Sequence, residues 1–267
     1  MTKSSLLFLF VISFLAQSFG QEKWKLIKEI KQEANFISTD RLGNLYVIND
    51  NSISMYNKNG DSLRSFNSQR FGTVAHLDCT DPYQLLVFFE DYNMVLFLDN
   101  FLSENGDIVD LQQLGLDQVS LACHSREAGF WAFDQIRQRV LHLNDDFEIT
   151  HQTVNFVQWF GHRLEPNYMV EYNNKLYLNV PESGIFVFDH FGTYLKTIAL
   201  KNIKNPQFLE GRINYLNEKQ SFCHYNIQNF SEECEELKSF GSLKQVRIEK
   251  GRTYLFDGLN SKIFELN

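Results

Sequence analysis

Short runs that alternate between apolar and polar residues repeat along the chain, and they predict β-strands rather than helices. The first complete unit contains a run that begins at Phe36, a turn with Gly43, and further runs at 45–47, 52–56 and 62–66. This order predicts four successive strands, which we letter A to D.

The same unit recurs along the rest of the chain. The middle residues of successive B strands are 37 to 46 positions apart, and they are Tyr46, Leu86, Trp131, Tyr177, Asn214 and Tyr254. An Asn or Asp follows each C strand, and in the first five units its side chain can open the C–D turn by bonding its own backbone. Those five residues are Asn57, Asp99, Asn144, Asp189 and Asn226.

A four-stranded repeat of roughly 40 to 50 residues predicts a β-propeller, because one small sheet cannot bury both of its faces alone. The last unit has strands A, B and C at 245–249, 252–257 and 262–267 but no strand D. Residues 24–30 form an orphan run of alternating pattern that can supply it. The sequence therefore predicts an all-β, six-bladed β-propeller closed by an N-terminal strand that completes the last blade.

The first unit also carries a family likeness. The segment DRLGNLYV at 40–47, followed by Ile53-x-x-Tyr56 and by Gly60, resembles the repeat of NHL and related six-bladed propeller families. The first and fourth units match best, whereas the second, third and fifth lack the Gly-Asn turn. The resemblance implies the fold over most of the chain, but such repeats are shared across many functions.

The N-terminus predicts a secretory signal peptide over residues 1–20. An apolar run follows a short basic start, and the small residues Ser18 and Gly20 fit a cleavage site after residue 20. The run is shorter than the roughly 20 apolar residues of a spanning helix, so no membrane span is expected after cleavage. Residues 21–267 then form the propeller domain. A mature start at Gln21 resembles envelope proteins of Bacteroidota, which implies a periplasmic or outer-membrane-associated location.

Charge and cysteine spacing exclude several classes of partner. A formal net charge of −8 argues against binding to nucleic acid or to anionic lipid surfaces. The four cysteines lack C-x-x-C spacing, which argues against zinc and thioredoxin-type sites. Cys223 and Cys234 fall on two strands of one predicted hairpin and are the disulfide candidates. Cys79 and Cys123 occupy matching points of two successive units.

Motifs for catalysis are sparse. The sequence contains no Gly-x-Ser-x-Gly elbow and no phosphate loop. Propeller enzymes of the lactonase type hold a divalent cation in the central channel, and Glu33, Glu165 and Asn205 at the starts of inner strands are candidates for such a role. The alternative is that these side chains cap turns and line a hydrated channel. We therefore predict no catalytic residue, no metal and no cofactor.

Partner binding is expected at the end of the propeller that is built from D–A connections and B–C turns. Aromatic residues and arginines are the common hot spots of such surfaces, and the connection 155–166 is long for its position. The candidates are Arg70, Phe71, Tyr92, Arg137, Trp159, Phe160, His162 and Arg163. An alternative role for Trp159 and Phe160 is to fill the seam between blades 3 and 4.

A loop at the opposite end is a second candidate surface. It covers residues 100–106 and carries Phe101 and Leu102. These two residues would form a short exposed apolar tip.

Together these observations favour a non-catalytic, protein-binding propeller of the bacterial periplasm or outer-membrane periphery. A more specific hypothesis, based on family-level analogy, is a plug or adaptor subunit of an outer-membrane secretion assembly. Two alternatives stand beside it. One is a lactonase-like, metal-dependent hydrolase that uses the central channel, and the other is a carbohydrate or small-ligand receptor, which the 15% aromatic content favours.

Overall fold

The computed structural model describes residues 24–266, which form six four-stranded antiparallel sheets around a central channel. The predicted all-β, six-bladed propeller is confirmed. The predicted signal peptide over residues 1–20 lies outside the described residues. Within residues 24–266, no helix is both long and apolar enough to cross a bilayer.

Strands run from A beside the channel to D at the rim. Blade 1 consists of β2 to β5, at Phe36–Thr39, Leu45–Asn49, Ser52–Tyr56 and Ser62–Asn67. Blade 2 consists of β6 to β9, at Val74–Asp78, Leu85–Phe89, Met94–Leu98 and Val109–Asp110. Blade 3 consists of β10 to β13, at Val119–His124, Phe130–Asp134, Arg139–Leu143 and Ile149–Gln152.

The other three blades follow the same order. Blade 4 consists of β14 to β17, at Tyr168–Tyr172, Lys175–Val180, Gly184–Asp189 and Tyr194–Ile198. Blade 5 consists of β18 to β21, at Lys204–Leu209, Arg212–Leu216, Ser221–Asn226 and Glu232–Glu236. Blade 6 consists of β22 to β24 and β1, at Gln245–Glu249, Arg252–Phe256, Asn260–Leu266 and Trp24–Lys31. A short helix, α1, covers Phe156–Phe160, and a 3₁₀ turn covers Lys238–Phe240.

The ring is closed by the two ends of the described chain, as predicted. Strand β1 pairs antiparallel with β24, and Leu26 lies opposite Phe264. The buried side chain of Ile30 joins the core between blades 6 and 1. The closing strand therefore contributes both backbone hydrogen bonds and apolar burial, and it removes two open sheet edges.

Each seam between neighbouring blades holds one cluster of buried apolar side chains. Several B and C strands, among them β7, β8 and β11, read as nearly continuous apolar runs because both of their faces are covered by neighbouring sheets. Strand β7, with the sequence LLVFF, shows this most clearly, since all five of its residues are buried. The six small sheets thus share one ring-shaped core.

Polar side chains also join the blades near the channel. The Gln245 carboxamide accepts from the Ile37 N–H at 2.7 Å and donates to the Ile37 carbonyl at 3.3 Å. Gln207 makes the same pair of bonds to the backbone of Ile248. These amides satisfy backbone groups that the inner strands cannot pair within their own sheets.

The C–D turns form as the sequence predicts. In each of the first five blades, the side-chain oxygen after strand C accepts a backbone N–H from two residues further on. In four of those blades the same oxygen also accepts from the residue four positions on. This bonding explains why an Asn or Asp recurs at that point of the first five repeats.

Candidate functional site

The propeller has two ends that carry different loops. The D–A connections and B–C turns meet at one end, which we call the DA/BC end. The A–B and C–D turns meet at the other, which we call the AB/CD end. The sequence places most of its candidate binding residues at the DA/BC end, on blades 2 to 4.

The connection between β13 and β14 contains α1, which the sequence did not reveal as helical. The Asn155 side chain accepts from the Gln158 N–H, and Gly161 ends the helix at a φ of 80°, a value that favours glycine. Phe156 is fully buried, and its ring stacks with Phe133 at a centroid distance of 6.2 Å. One side of α1 is therefore anchored in the seam between blades 3 and 4.

The B–C turn of blade 3 supports this connection through hydrogen bonds. The Asn155 amide donates to the carbonyl of Arg137 at 2.7 Å, and the Arg163 guanidinium donates to the carbonyl of Gln135. The Leu164 N–H donates to the Gln138 side chain. Residues from two separate loops are thereby held side by side.

The outer side of the connection faces solvent and mixes apolar and cationic side chains. Trp159 is 43% exposed, and its ring packs edge-on against Tyr194 and beside Phe160. Val157 on α1 and Ile136 in the supporting turn are also exposed. Neither aliphatic residue is among the candidates predicted from the sequence, although each lies within two positions of one of them.

Six of the eight predicted binding residues are exposed at this end. They are Arg70, Tyr92, Arg137, Trp159, His162 and Arg163. The Arg137 guanidinium donates to the carbonyl of Gly115 at 3.0 Å and to the Asp134 carboxylate at 3.1 Å. Its position is therefore fixed between blades 2 and 3.

Phe71 and Phe160 differ from the expected surface role. Phe71 is only 5% exposed and packs against Phe89, while Arg70 lies over its ring and pairs with Glu104 at 2.9 Å. Phe160 is half-buried and stacks on Phe186 with a centroid distance of 4.9 Å. Both rings fill seams, so the structure divides the two roles considered for the α1 aromatics: Phe160 packs inward and Trp159 faces out.

The second candidate surface also differs from the prediction. Phe101 is exposed at the AB/CD end, but Leu102 is buried in the core between blades 1 and 2. The loop therefore presents one apolar side chain and not a two-residue tip.

The proposed channel ligands are not brought together. Glu33 and Glu165 are exposed and do not line either large cavity of the propeller, whereas Asn205 lines a cavity of about 600 Å³ at the DA/BC end. Within residues 24–266, the one group of side chains close enough to share a metal ion is Cys223, Glu232 and Cys234. Cys223 and Cys234 form a disulfide, so their sulfurs are not thiolate ligands.

The two remaining cysteines are not activated nucleophiles. Cys79 and Cys123 are free and buried, and burial raises the pKa of each thiol well above its usual value. A thiol that stays protonated is a poor nucleophile and a poor metal ligand.

The AB/CD end opens into a second large cavity, of about 530 Å³. Buried charged groups lie in its wall, among them Asp78, Arg247 and Glu249. Burial raises the pKa of Glu249 to about 7, with a further contribution from the Asp40 carboxylate. Sequence reasoning missed these residues, although the alternation in QVRIE at Gln245–Glu249 places three polar side chains on one side of an inner strand.

Comparisons with known proteins support the propeller fold, but they do not indicate a specific function. No protein-family model matches the chain, and no curated protein matches its sequence. Many solved structures share its architecture. One is the Neurospora crassa Pan2 WD40 domain, with a TM-score of 0.57 and 12% sequence identity, over 91% of this chain and 95% of that one. At this identity the likeness shows the propeller fold alone. The comparisons do not show that the chain belongs to the NHL family, which its first repeat resembles.

Proposed function

We propose that this protein is a non-catalytic propeller that binds another protein through its DA/BC end. The binding surface is the outer side of the α1 connection together with the turn that supports it. We call it the helix face, and it consists of Ile136, Arg137, Val157, Trp159 and Arg163.

The exposed Trp159 is the observation that carries this proposal. A large aromatic side chain that is 43% exposed offers apolar area that a partner can bury, and Trp is among the residues enriched at binding hot spots. It sits in a connection whose helix takes no part in the four-stranded pairing of the blades. The neighbouring arginines are held by hydrogen bonds, so little side-chain entropy is lost when a partner binds.

The charge of the helix face indicates the chemistry of its partner. The whole chain carries a formal net charge of −8, yet the two charged side chains of this surface are both arginines. A partner segment that presents an acidic residue beside an aromatic or aliphatic one would match both components. We infer that such a segment docks with its apolar side chain against Trp159.

The location is a further part of the proposal. The basic start, apolar run and small residues of 1–20 favour export from the cytoplasm. We propose that the mature chain works in the periplasm or at the outer membrane, as an adaptor or plug subunit of a secretion assembly. Fractionation of cells that express a C-terminally tagged full-length chain tests this, and recovery of uncleaved protein in the cytosol would contradict it.

Affinity purification with paired variants tests the binding surface. The double variant Trp159→Ala/Arg163→Ala removes the anchor and one cation, and Phe191→Ala is the matched control because Phe191 is exposed at the opposite end. We expect the wild type and the control to retain one stoichiometric partner. The double variant should bind that partner, purified and measured directly, at least tenfold more weakly.

Salt dependence gives a second readout of the same interface. Affinity should fall when the ionic strength rises, because an arginine pairs with an acidic partner residue. Recovery of the tagged chain only as a free monomer, or a partner that the double variant binds as tightly as the wild type, would overturn the assignment of the helix face.

A further inference from the structure

The cavity at the AB/CD end is a separate feature from the helix face. Its wall is formed by the ends of the inner strands and by A–B turns, including residues Arg41, Asp81, Arg126 and Asn173. A volume of about 530 Å³ lies within the range of small-molecule pockets. The cavity is therefore large enough for a small ligand but too small to hold a folded protein.

A buried cation lies at the inner part of this cavity. Arg247 is 7% exposed, and one of its Nη atoms donates to the carbonyl of Pro206 at 3.2 Å. Its buried Nε has no hydrogen-bond partner, and none of the carboxylates in residues 24–266 pairs with the guanidinium. The buried Asp78 carboxylate acts electrostatically on the His76 ring, as Arg247 does, but forms no ion pair with Arg247. A buried cation without a directly paired anion is costly, so this position favours an anionic group from a ligand.

Neighbouring side chains supply a donor but no further positive charge. Burial raises the pKa of Tyr168 to about 12, so its hydroxyl stays protonated and can donate a hydrogen bond. Burial also lowers the pKa of His76, whose ring lies 5.5 Å from that of Tyr168, so this imidazole is neutral at pH 7. Arg247 is thus the fixed positive charge in this part of the channel.

The carboxylates of the cavity differ in how many of their oxygens already accept hydrogen bonds. Both oxygens of Asp78 accept backbone N–H groups, from Thr80 at 2.8 Å and His124 at 2.9 Å. One oxygen of Glu171 accepts from the Trp131 indole at 2.8 Å and from the Ser125 hydroxyl at 3.0 Å. The other oxygen of Glu171 is buried and has no partner.

Arg247 and Glu171, which both line the cavity, therefore each keep one buried polar atom that no described residue satisfies. We propose that it binds a small zwitterion, with the ligand carboxylate on Arg247 and Tyr168 and the ligand ammonium on Glu171. This is the chemistry of a free amino acid or a short peptide. Glu249, two residues after Arg247 on the same side of β22, adds a second acidic group near the mouth.

Calorimetric titration of the purified mature chain tests this proposal. The probes are the twenty free amino acids and glycylglycine, with acetate and methylammonium as probes that carry a single charge. We expect at least one zwitterion to bind saturably, and at least about tenfold more tightly than either single-charge probe, because each charge-assisted hydrogen bond adds affinity. A zwitterion that binds should also raise the melting temperature.

Three variants locate the site. Arg247→Met should weaken binding of the zwitterion at least about tenfold, because the charged donor is lost. Glu171→Gln keeps an oxygen for the Trp131 indole but loses the negative charge, so it should reduce the preference for the zwitterion over acetate. Arg212→Met is the control, since Arg212 is exposed on β19 and does not line the cavity, and it should bind like the wild type.

The outcomes separate clearly. If circular dichroism shows that Arg247→Met does not fold, Glu171→Gln alone tests the proposal. The proposal is overturned if the wild type binds no zwitterion at concentrations up to about 10 mM, which corresponds to negligible affinity. It is also overturned if acetate binds as tightly as every zwitterion, or if the folded cavity variants bind as the wild type does.

Discussion

At the DA/BC end, the connection between blades 3 and 4 exposes Trp159 to solvent. At the AB/CD end, by contrast, Arg247 lies almost fully buried beside a cavity. The first surface is exposed to solvent and mixes apolar groups with cations. The second is concave and holds buried groups of both charges. The two ends of one ring are therefore suited to different sizes of partner, a protein segment in one case and a small molecule in the other.

The difference has a physical origin in the repeat. An A–B turn joins two paired strands, and in blades 4, 5 and 6 only two residues lie between those strands, so these turns leave little room for insertions. New chemistry there comes from single residues on the inner strands, such as Arg247. A D–A connection joins two separate sheets and tolerates added residues. The helix face is accordingly built by an insertion, and the cavity by substitutions.

Opening the ring tests whether both ends depend on one scaffold, and it should have the largest effect. Deletion of residues 24–30 removes all but the last residue of strand β1, including the buried Ile30 and nearly all of the pairing to β24. We expect a loss of at least about 4 kcal/mol in the free energy of unfolding, measured by urea denaturation of the mature chain, and the loss of both binding activities. An unchanged melting temperature would contradict the closure.

The next largest effect should come from the buried carboxyl of Glu249 at the AB/CD end, because its ionisation makes the stability of the protein depend on pH. The pKa of Glu249 in the folded state is about 7, raised from an ordinary value of 4.5 by burial and by Asp40 and Glu210, against the opposing charge of Lys250. The folded state therefore holds this proton more tightly than the unfolded chain does. Ionisation of Glu249 should make the protein less stable as the pH rises from about 5 to about 8.

Glu249→Gln removes this ionisation. Relative to the variant, the wild type should lose about 2 kcal/mol of unfolding free energy between pH 5 and pH 8, measured by urea denaturation at several pH values. Glu218→Gln is the control, because Glu218 is exposed in a B–C turn. Parallel pH profiles for the wild type and Glu249→Gln would show that this carboxyl is not buried as described.

The smallest effect concerns the aromatic residues of the helix face. Trp159→Ala should destabilise the fold by only about 1 kcal/mol, because the side chain is 43% exposed and loses mainly its ring contacts. Phe160→Ala should cost about 2 kcal/mol, because its ring stacks on Phe186 in the seam. Thermal and urea unfolding of both variants measures this difference. The reverse order would mean that Trp159 is the residue that holds α1 in place.

The fold was largely readable from the sequence, because each blade repeats the same local chemistry. The Asn or Asp after strand C makes its turn within five residues, and the unpaired run at 24–30 has only one open edge to join. Hydrophobic alternation located the strands for a similar reason. These signals depend on neighbours in the sequence or on the closure of a ring, and both can be inferred without coordinates.

The sites are harder to predict from the sequence than the fold is, because they depend on contacts between blades. Phe71 lies in a loop, yet neighbouring strands bury it, and Leu102 is buried in the same way. Arg247 resembles any polar residue of an inner strand until the absence of an ion-pair partner within residues 24–266 is seen. The helix at Phe156–Phe160 is too short to produce a helical period in the sequence.

The pairing of Leu26 with Phe264 also constrains how the chain reaches its native state. The two residues lie 238 positions apart, so β1 leaves the ribosome long before its partner strand exists. Contacts of such wide sequence separation form slowly, because the entropic cost of closing the loop precedes any gain. We expect ring closure to be the final folding step, during which the edges of β1 and β24 can pair with a second copy and produce a swapped dimer.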